Sequence, residues 1–271
     1  MQHPFTSKGA SIPVAPFAFW LLLVFTYSLC NTAAACPARE TGERVTVVYV
    51  YDGDTVKLSD GRRVRLIGIN TPELRHNEPG GQPFATEARA ALQSILDRGN
   101  RTLLLQYGKE HKDHYGRLLA HAFLENGDNI ARHLLQAGLA TTLVIPPNTW
   151  AQDCYQRLEN QARIDRRGIW GHPRYQLQDS RSLPASTRGF SLILGKVEQV
   201  RHAGGNTWLE LQGPLTVRID KRDIINFPAG QLDKLTGQTV EVRGWVRSQP
   251  SGLVMTVKHP AALIAITKHA P

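Results

Sequence analysis

Cysteine is scarce in this chain, with three residues in 271. His111 and His114 stand three apart, but no cysteine and no third ligand lies near them, which argues against a zinc site. No apolar run reaches the ~20 residues of a membrane-spanning helix, so a polytopic membrane protein is excluded. Acidic residues and arginine are absent from residues 1–35, where Lys8 is the one formal charge. Internal repeats are absent as well. What is present is enough apolar material for a packed core: 41% hydrophobic against 20% charged, which rules out a disordered or collagen-like chain. The formal net charge of +9 fits either a soluble basic protein or one with a polyanionic partner.

The N-terminus reads as a secretory signal. Residues 17–25 are unbroken apolar, and Ala33-Ala34-Ala35 supplies a small-residue cleavage site. The stretch is short for a membrane anchor. Cleavage after Ala35 makes Cys36 the first mature residue, and this leaves plain export to the periplasm or medium and lipid attachment to the envelope both open, although Ala33 stands where a lipidation signal usually has Leu. Cys30 leaves with the signal. Cys36 and Cys154 remain, as one disulfide or as two separate thiols.

The mature chain divides into 36–172, a polar Pro- and Ser-containing linker at 173–188, and 189–271, each half with an excess of base. In the first part, strands are expected at 44–51, 55–58, 63–69, 101–107 and 117–124. Helices are expected at 83–98, 129–136 and 149–167, the first and last followed by Gly99 and Gly168. Five strands with about three helices suit a small closed barrel of the OB type. The last part repeats a strand pattern at 190–200, 207–211, 215–219, 240–247 and 254–258, with a short helix within 224–235. A mainly β protein of the α+β kind, with a second small barrel that is OB-like, is therefore expected.

Asp60-Gly61, joining the runs 55–58 and 63–69, is the strongest kind of short hairpin signal. A turn centred there pairs Asp54 near Ile67 and Val56 near Arg65, so that Asp54 and Arg65 share a face. Asp52, Asn70, Thr71 and Glu73 then gather at the open end of the hairpin. Hard oxygens suit Ca²⁺ or Mg²⁺, and a guanidinium fork suits a phosphate. The alternative is a surface cluster of ion pairs.

The strings Asp52-Gly53-Asp54-Thr55-Val56-Lys57-Leu58 and Val64-Arg65-Leu66-Ile67-Gly68-Ile69-Asn70-Thr71-Pro72-Glu73 resemble the staphylococcal nuclease (thermonuclease) family. So does Asp113-His114-Tyr115-Gly116-Arg117-Leu118-Leu119-Ala120, and Gly168-Ile169-Trp170 follows in the family's order. The likeness spans roughly residues 44–171. It implies an OB-fold barrel and an exported, Ca²⁺-dependent endonuclease that hydrolyses DNA and RNA. By this resemblance Asp54 is a metal ligand with Asn70 and Thr71, the last through its carbonyl. Glu73 orients or deprotonates water, and Arg65 and Arg117 hold the scissile phosphate. Tyr115, Arg62 and Arg63 are substrate-contact candidates, each with an alternative reading as packing or solvated surface. One departure is Asn70, where the family's best-known member has a second aspartate; it predicts weaker metal binding or help from Asp52. Another is 141–146, which lacks the tyrosines the family uses against a nucleotide.

Two other functions compete: a non-catalytic nucleic-acid-binding envelope protein on the same barrel, and an envelope protein that binds another polyanion or a partner protein. The mature protein is expected to be monomeric. In the last part, Trp208, Trp245 and Phe227 either stack on bases or fill a small barrel, and Arg218, Lys221, Arg222, Arg243 and Arg247 are the basic candidates there. Arg163, Arg166 and Arg167 are expected on a solvated helix face.

Overall fold

The computed structural model describes Met1 and residues 36–38, 42–74, 81–250 and 252–266. The expected signal segment, residues 1–35, lies outside the described residues apart from Met1. Contacts divide the chain into Met1–Ala34 and Ala35–Pro271, and the second unit carries everything described below.

The first barrel is built from β1 (Glu43–Val50), β2 (Thr55–Leu58), β3 (Arg63–Leu66), β5 (Thr102–Lys112) and β6 (Leu118–Phe123). Between them lie the short β4 (Gly68–Asn70) and α1 (Ala85–Arg98), and after them α2 (Ile130–Gln136), β7 (Thr141–Leu143) and α3 (Gln152–Ile164). The barrel closes in the order β1-β2-β3-β6-β5. β3 and β6 run parallel, which requires the α1–β5 crossover between them. Alternation decides which residues fill it: Val56, Leu58, Val64, Leu66, Leu103 and Leu105 are all buried, with more polar neighbours turned outward. Cys36 and Cys154 are joined in a disulfide that ties the start of this unit to α3 across 118 residues.

Three local expectations are corrected. The run 63–69 is not one strand. After Leu66 the chain turns at Ile67, and β4 leaves the barrel to pair with β7, Asn70 opposite Thr141. Helix α3 starts at Gln152 rather than 149 and stops at Ile164. The hairpin register is shifted by one, with Thr55 opposite Arg65 and Val56 opposite Val64. The turn contains three residues, because the Leu58 N–H bonds to the Arg62 carbonyl and Gly61 takes φ +88°, a left-handed value a side chain disfavours. Asp54 and Arg65 still meet, because Asp54 lies in the bend ahead of β2, where strand alternation no longer applies.

The segment 173–188, expected as a linker, is anchored through buried Tyr175, Ser180 and Leu183, while residues 184–186 and Arg188 are exposed. Tyr175 is buried and donates to the Pro83 carbonyl, and the Gln176 amide donates to the Trp170 carbonyl. Residues Gln178–Asp179 form β8, parallel to β9 (Gly189–Ala203), and Ser180 donates to the Gln212 carbonyl. Tyr175, Gln176 and Ser180 each give a hydrogen bond to a backbone carbonyl.

The second barrel contains β9, β10 (Asn206–Leu211), β11 (Leu215–Ile219), β12 (Thr239–Gln249) and β13 (Gly252–Thr256), with β14 (Leu263–Ala265) added at β12. β9 pairs with both β10 and β12, and β11 runs parallel to β13. Counted along its own strands, each barrel reads 1-2-3-5-4, so the second repeats the topology of the first. The expected helix within 224–235 is two 3₁₀ turns, Ile224–Asn226 and Asp233–Leu235, on either side of Pro228 and Gly230. Phe227 is buried in this barrel's core, whereas Trp208 is half-buried and Trp245 exposed.

The barrels share a third core of Ala162, Ile169, Trp170, Tyr175, Phe190 and Leu192. Two arginines expected at the surface are used here instead. Arg163 pairs with Glu241 at 3.0 Å and lies over the Trp170 ring, and Arg243 is buried against Glu159. The second barrel covers that side of α3, so neither guanidinium faces solvent freely.

Candidate active site

The bend Asp52-Gly53-Asp54 opens the site. A Cβ on Gly53 would sit 2.8 Å from the Ala88 and Thr71 side chains, so only glycine lets this bend approach α1 and the chain after β4. That approach places Asp54 against Thr71. The Thr71 N–H donates to Asp54 Oδ2 at 2.8 Å and its hydroxyl donates at 3.0 Å, while Thr55 Oγ1 donates to Oδ1 at 3.1 Å.

Arg65 completes this cluster. Its Nη2 lies 3.1 Å from Asp54 Oδ2 and 3.4 Å from Asn70 Oδ1. Its Nη1 donates to the Leu66 and Ile69 carbonyls, the latter at 3.0 Å. The guanidinium is thus oriented by backbone it cannot move, and its side chain is 11% exposed. β4, pinned by β7, carries Asn70 to this point, and Thr141 Oγ1 donates to the Asn70 carbonyl.

Asp52 sits behind the same bend and accepts from the Asp54 N–H at 3.0 Å. Its pKa is pushed up to about 7, first by burial and then by the negative charges of Asp54 and Glu73. Glu73 is exposed, and its backbone is clasped to Gln82 twice: its N–H donates to Gln82 Oε1 at 3.1 Å, and the Gln82 N–H donates to its carbonyl at 2.9 Å.

Arg117 stands one residue before β6, the strand beside β3. Parallel pairing sets Val64 opposite Leu118, so Arg117 is level with Arg63 and two residues from the level of Arg65, all three on the outward face. Arg117 Nε donates to Asp113 Oδ2 at 2.7 Å, and Asp113 Oδ1 accepts from the Tyr115 and Arg117 N–H groups. Burial would raise the Asp113 carboxyl, but its bonds to Arg117 override that and hold it below the usual range. Sequence reasoning assigns Asp113 no role. Its signal was an acidic residue four before an arginine at a glycine turn.

Tyr115 is 65% exposed, its ring 5.4 Å from the Arg117 guanidinium and stacked near His114. Arg63 reaches the Tyr115 carbonyl at 3.4 Å. Arg62 is not brought to this cluster. It lies at the hairpin tip, 2.6 Å from both Glu43 and Asp60 and bonded to Tyr107.

Among the described residues no three His, Cys, Asp or Glu side chains are arranged as a metal site. The oxygens here are of mixed kinds: the Asp54 and Asp52 carboxylates, with Asn70 and Thr71. That set is hard, with the Asp52 carboxylate bonded to the backbone of Asp54, and it fits a hard divalent cation better than a soft one.

Comparison with known proteins covers this region. A family profile described as Staphylococcal nuclease homologue matches residues 63–172. The chain is 35% identical over 133 residues to a thermonuclease of Staphylococcus intermedius, covering 48% of this chain and 77% of that protein. It is 33% identical over 129 residues to a thermonuclease of Staphylococcus hyicus, covering 46% and 75%. It is 32% identical over 135 residues to endonuclease YncB of Bacillus subtilis, covering 48% and 63%.

Proposed function

The chain belongs to the staphylococcal nuclease family, a hydrolase of that nuclease type, and from that premise we propose that it is an exported, Ca²⁺-dependent endonuclease that hydrolyses phosphodiester bonds in DNA and RNA as a monomer. The observation that carries the reading is the convergence of Asp54, Arg65, Asn70 and Thr71 on one another, with Glu73 exposed two residues beyond Thr71.

In hydrolysis a water oxygen bonds to phosphorus, its proton leaves, and the opposite P–O ester bond breaks. Negative charge grows on the phosphoryl oxygens. Arg65 is held in place before substrate arrives, so its charge needs no reorganisation to meet that growth. Arg117 is oriented by Asp113 on the same outward face and meets a second oxygen. Glu73, exposed beside the cluster, positions the water and takes its proton. Asp54, Asn70 and the Thr71 carbonyl would hold the cation, with Mg²⁺ as the competing ion. When bound, the cation supplies Lewis-acid stabilisation of phosphoryl charge. Asn70 keeps an oxygen but lacks the charge of an aspartate, so binding weaker than an all-carboxylate site follows.

Among the described residues no helix is long and apolar enough to cross a membrane. Export rests on residues 1–35 and is consistent with the Cys36–Cys154 disulfide, a bond that oxidising compartments favour. The test is digestion of plasmid DNA by the mature protein in Ca²⁺, with and without chelator. Ca²⁺-dependent nicking supports the proposal, and no cleavage with any divalent metal rejects it in favour of a binding protein on the same barrel.

A further inference from the structure

The second barrel lies beyond the family match, yet it repeats the nuclease barrel strand for strand. On its outer face one register row crosses three strands: Arg201 of β9 opposite Trp208 of β10, and Trp208 opposite Arg218 of β11. β13 continues the row with Thr256 opposite Arg218. Thr207, Leu209, Val217 and Ile219 alternate inward and are buried, so the row points out. Trp208 therefore stands on the second strand of a five-stranded barrel with arginine on the first and third. The third strand of the nuclease barrel carries Arg65.

Both guanidiniums lie over the indole at long range, Arg201 at 5.9 Å and Arg218 at 5.7 Å from its centroid. Both distances stand at the outer limit of a cation–π contact. Their anionic partners are Glu210 at 3.2 Å, in an exposed pair of the kind that contributes little, and Asp220 at 2.6 Å, in a more sheltered pair. Lys221 and Arg222 follow directly and are exposed. A half-buried indole flanked by cations matches a base that stacks and phosphates that pair with arginine on either side. The outer face of the second and third strands is also where OB barrels take oligonucleotides.

We propose that this face of the second barrel binds single-stranded nucleic acid, with a base stacked on Trp208 and flanking phosphates on Arg201 and Arg218. It is a holding site for the polymer that the first barrel cuts, and in that respect it rests on the nuclease reading. A bound strand displaces Glu210 and Asp220 from the two arginines, and the indole itself need not move. Arg243, on β12, takes no part, because it is buried against Glu159.

The test uses the full mature chain and two readouts. The first is fluorescence anisotropy of a labelled fifteen-nucleotide oligothymidylate in chelator, where cleavage is off. The second is Ca²⁺-dependent cleavage of a dinucleotide too short to reach a second barrel. Trp208→Leu keeps apolar bulk and removes the aromatic face, and it is expected to weaken oligothymidylate binding about ten-fold. Trp208→Tyr should restore most of that binding. Arg201→Gln with Arg218→Gln should make the salt slope shallower by about 1.4. Dinucleotide cleavage should be unchanged throughout. If Trp208→Leu binds like wild type while the dinucleotide is cut, this inference fails and the nuclease reading stands. If wild type cuts nothing yet Trp208→Leu still loses binding, the nuclease reading fails and this one stands. Equal loss of binding and cleavage would mark damage to the fold and overturn the inference.

Discussion

Arg243 of β12 donates to Glu159 of α3 at 2.6 Å, and the two side chains are 4% and 0% exposed. The same Nη1 donates to Thr142 Oγ1 at 3.1 Å, and Glu159 Oε2 accepts from the Thr142 N–H at 2.6 Å. Thr142 lies in β7, the strand that holds β4 and so Asn70. The second barrel is thus joined to the strand pair beneath the candidate active site through a buried charge pair. Arg243→Met leaves Glu159 buried and unpaired. We expect a loss of about 3–5 kcal/mol in denaturant unfolding, and recovery of much of it in the double variant with Glu159→Met. A single variant within ~1 kcal/mol of wild type would show that the pair does not hold the barrels.

Acid should loosen the same joint. Burial alone would raise the Glu241 carboxyl, but Arg163 and Arg243 override it and hold its pKa below the ordinary 4.5. A depressed folded-state pKa gives stability that is complete above the unfolded value and lost as pH falls through the folded one. Melting temperature should therefore fall as pH drops below about 4.5, and the drop should be shallower in Glu241→Gln. Parallel melting curves for the two proteins would contradict this.

Arg117→Ala tests the phosphate-holding role. The side chain bonds to Asp113 at the surface of a turn, so the fold should lose little. Removing one preorganised charge from the transition state should slow cleavage by about 10²–10³-fold. Single-turnover rates with a thermal melt on the same sample check both halves, and an unchanged rate would remove Arg117 from the chemistry.

Asn70→Asp should tighten the cation site, because it adds a charge within reach of Asp54 and Arg65. The Ca²⁺ concentration for half-maximal cleavage should fall about ten-fold. A rise in that concentration would show that Asn70 is not a ligand.

The disulfide carries an expectation for stability as well. It spans 118 residues, and replacing both Cys36 and Cys154 by serine should cost about 2–5 kcal/mol in unfolding. Equal denaturation midpoints would show that the bond is dispensable.

The nuclease barrel was legible because its signals are local. The β-branched run of β1, the Asp60-Gly61 turn and Gly99 after α1 each act over a few residues. The meeting of Asp54 with Arg65 was legible despite a register wrong by one, because the bend at Asp52–Asp54 releases Asp54 from strand alternation. The exit of β4 toward β7 was not legible. It depends on a partner 71 residues further on, as in the Thr141–Asn70 contact. Nor was the burial of Arg243. In the sequence it is one basic candidate on an expected strand, and only the docking of α3 brings Glu159 to it. The segment 173–188 misled for the same reason, since its polar residues bond to backbone that arrives from both barrels.

The most direct test of the account is the chemical step itself. At saturating Ca²⁺, single-turnover cleavage of a defined oligonucleotide should be about 10²–10⁴-fold slower for Glu73→Gln than for wild type, with oligonucleotide and Ca²⁺ affinities unchanged. Equal rates for the two proteins would mean that the water is not handled at Glu73, and the assignment of this cluster as a phosphodiesterase centre would be contradicted.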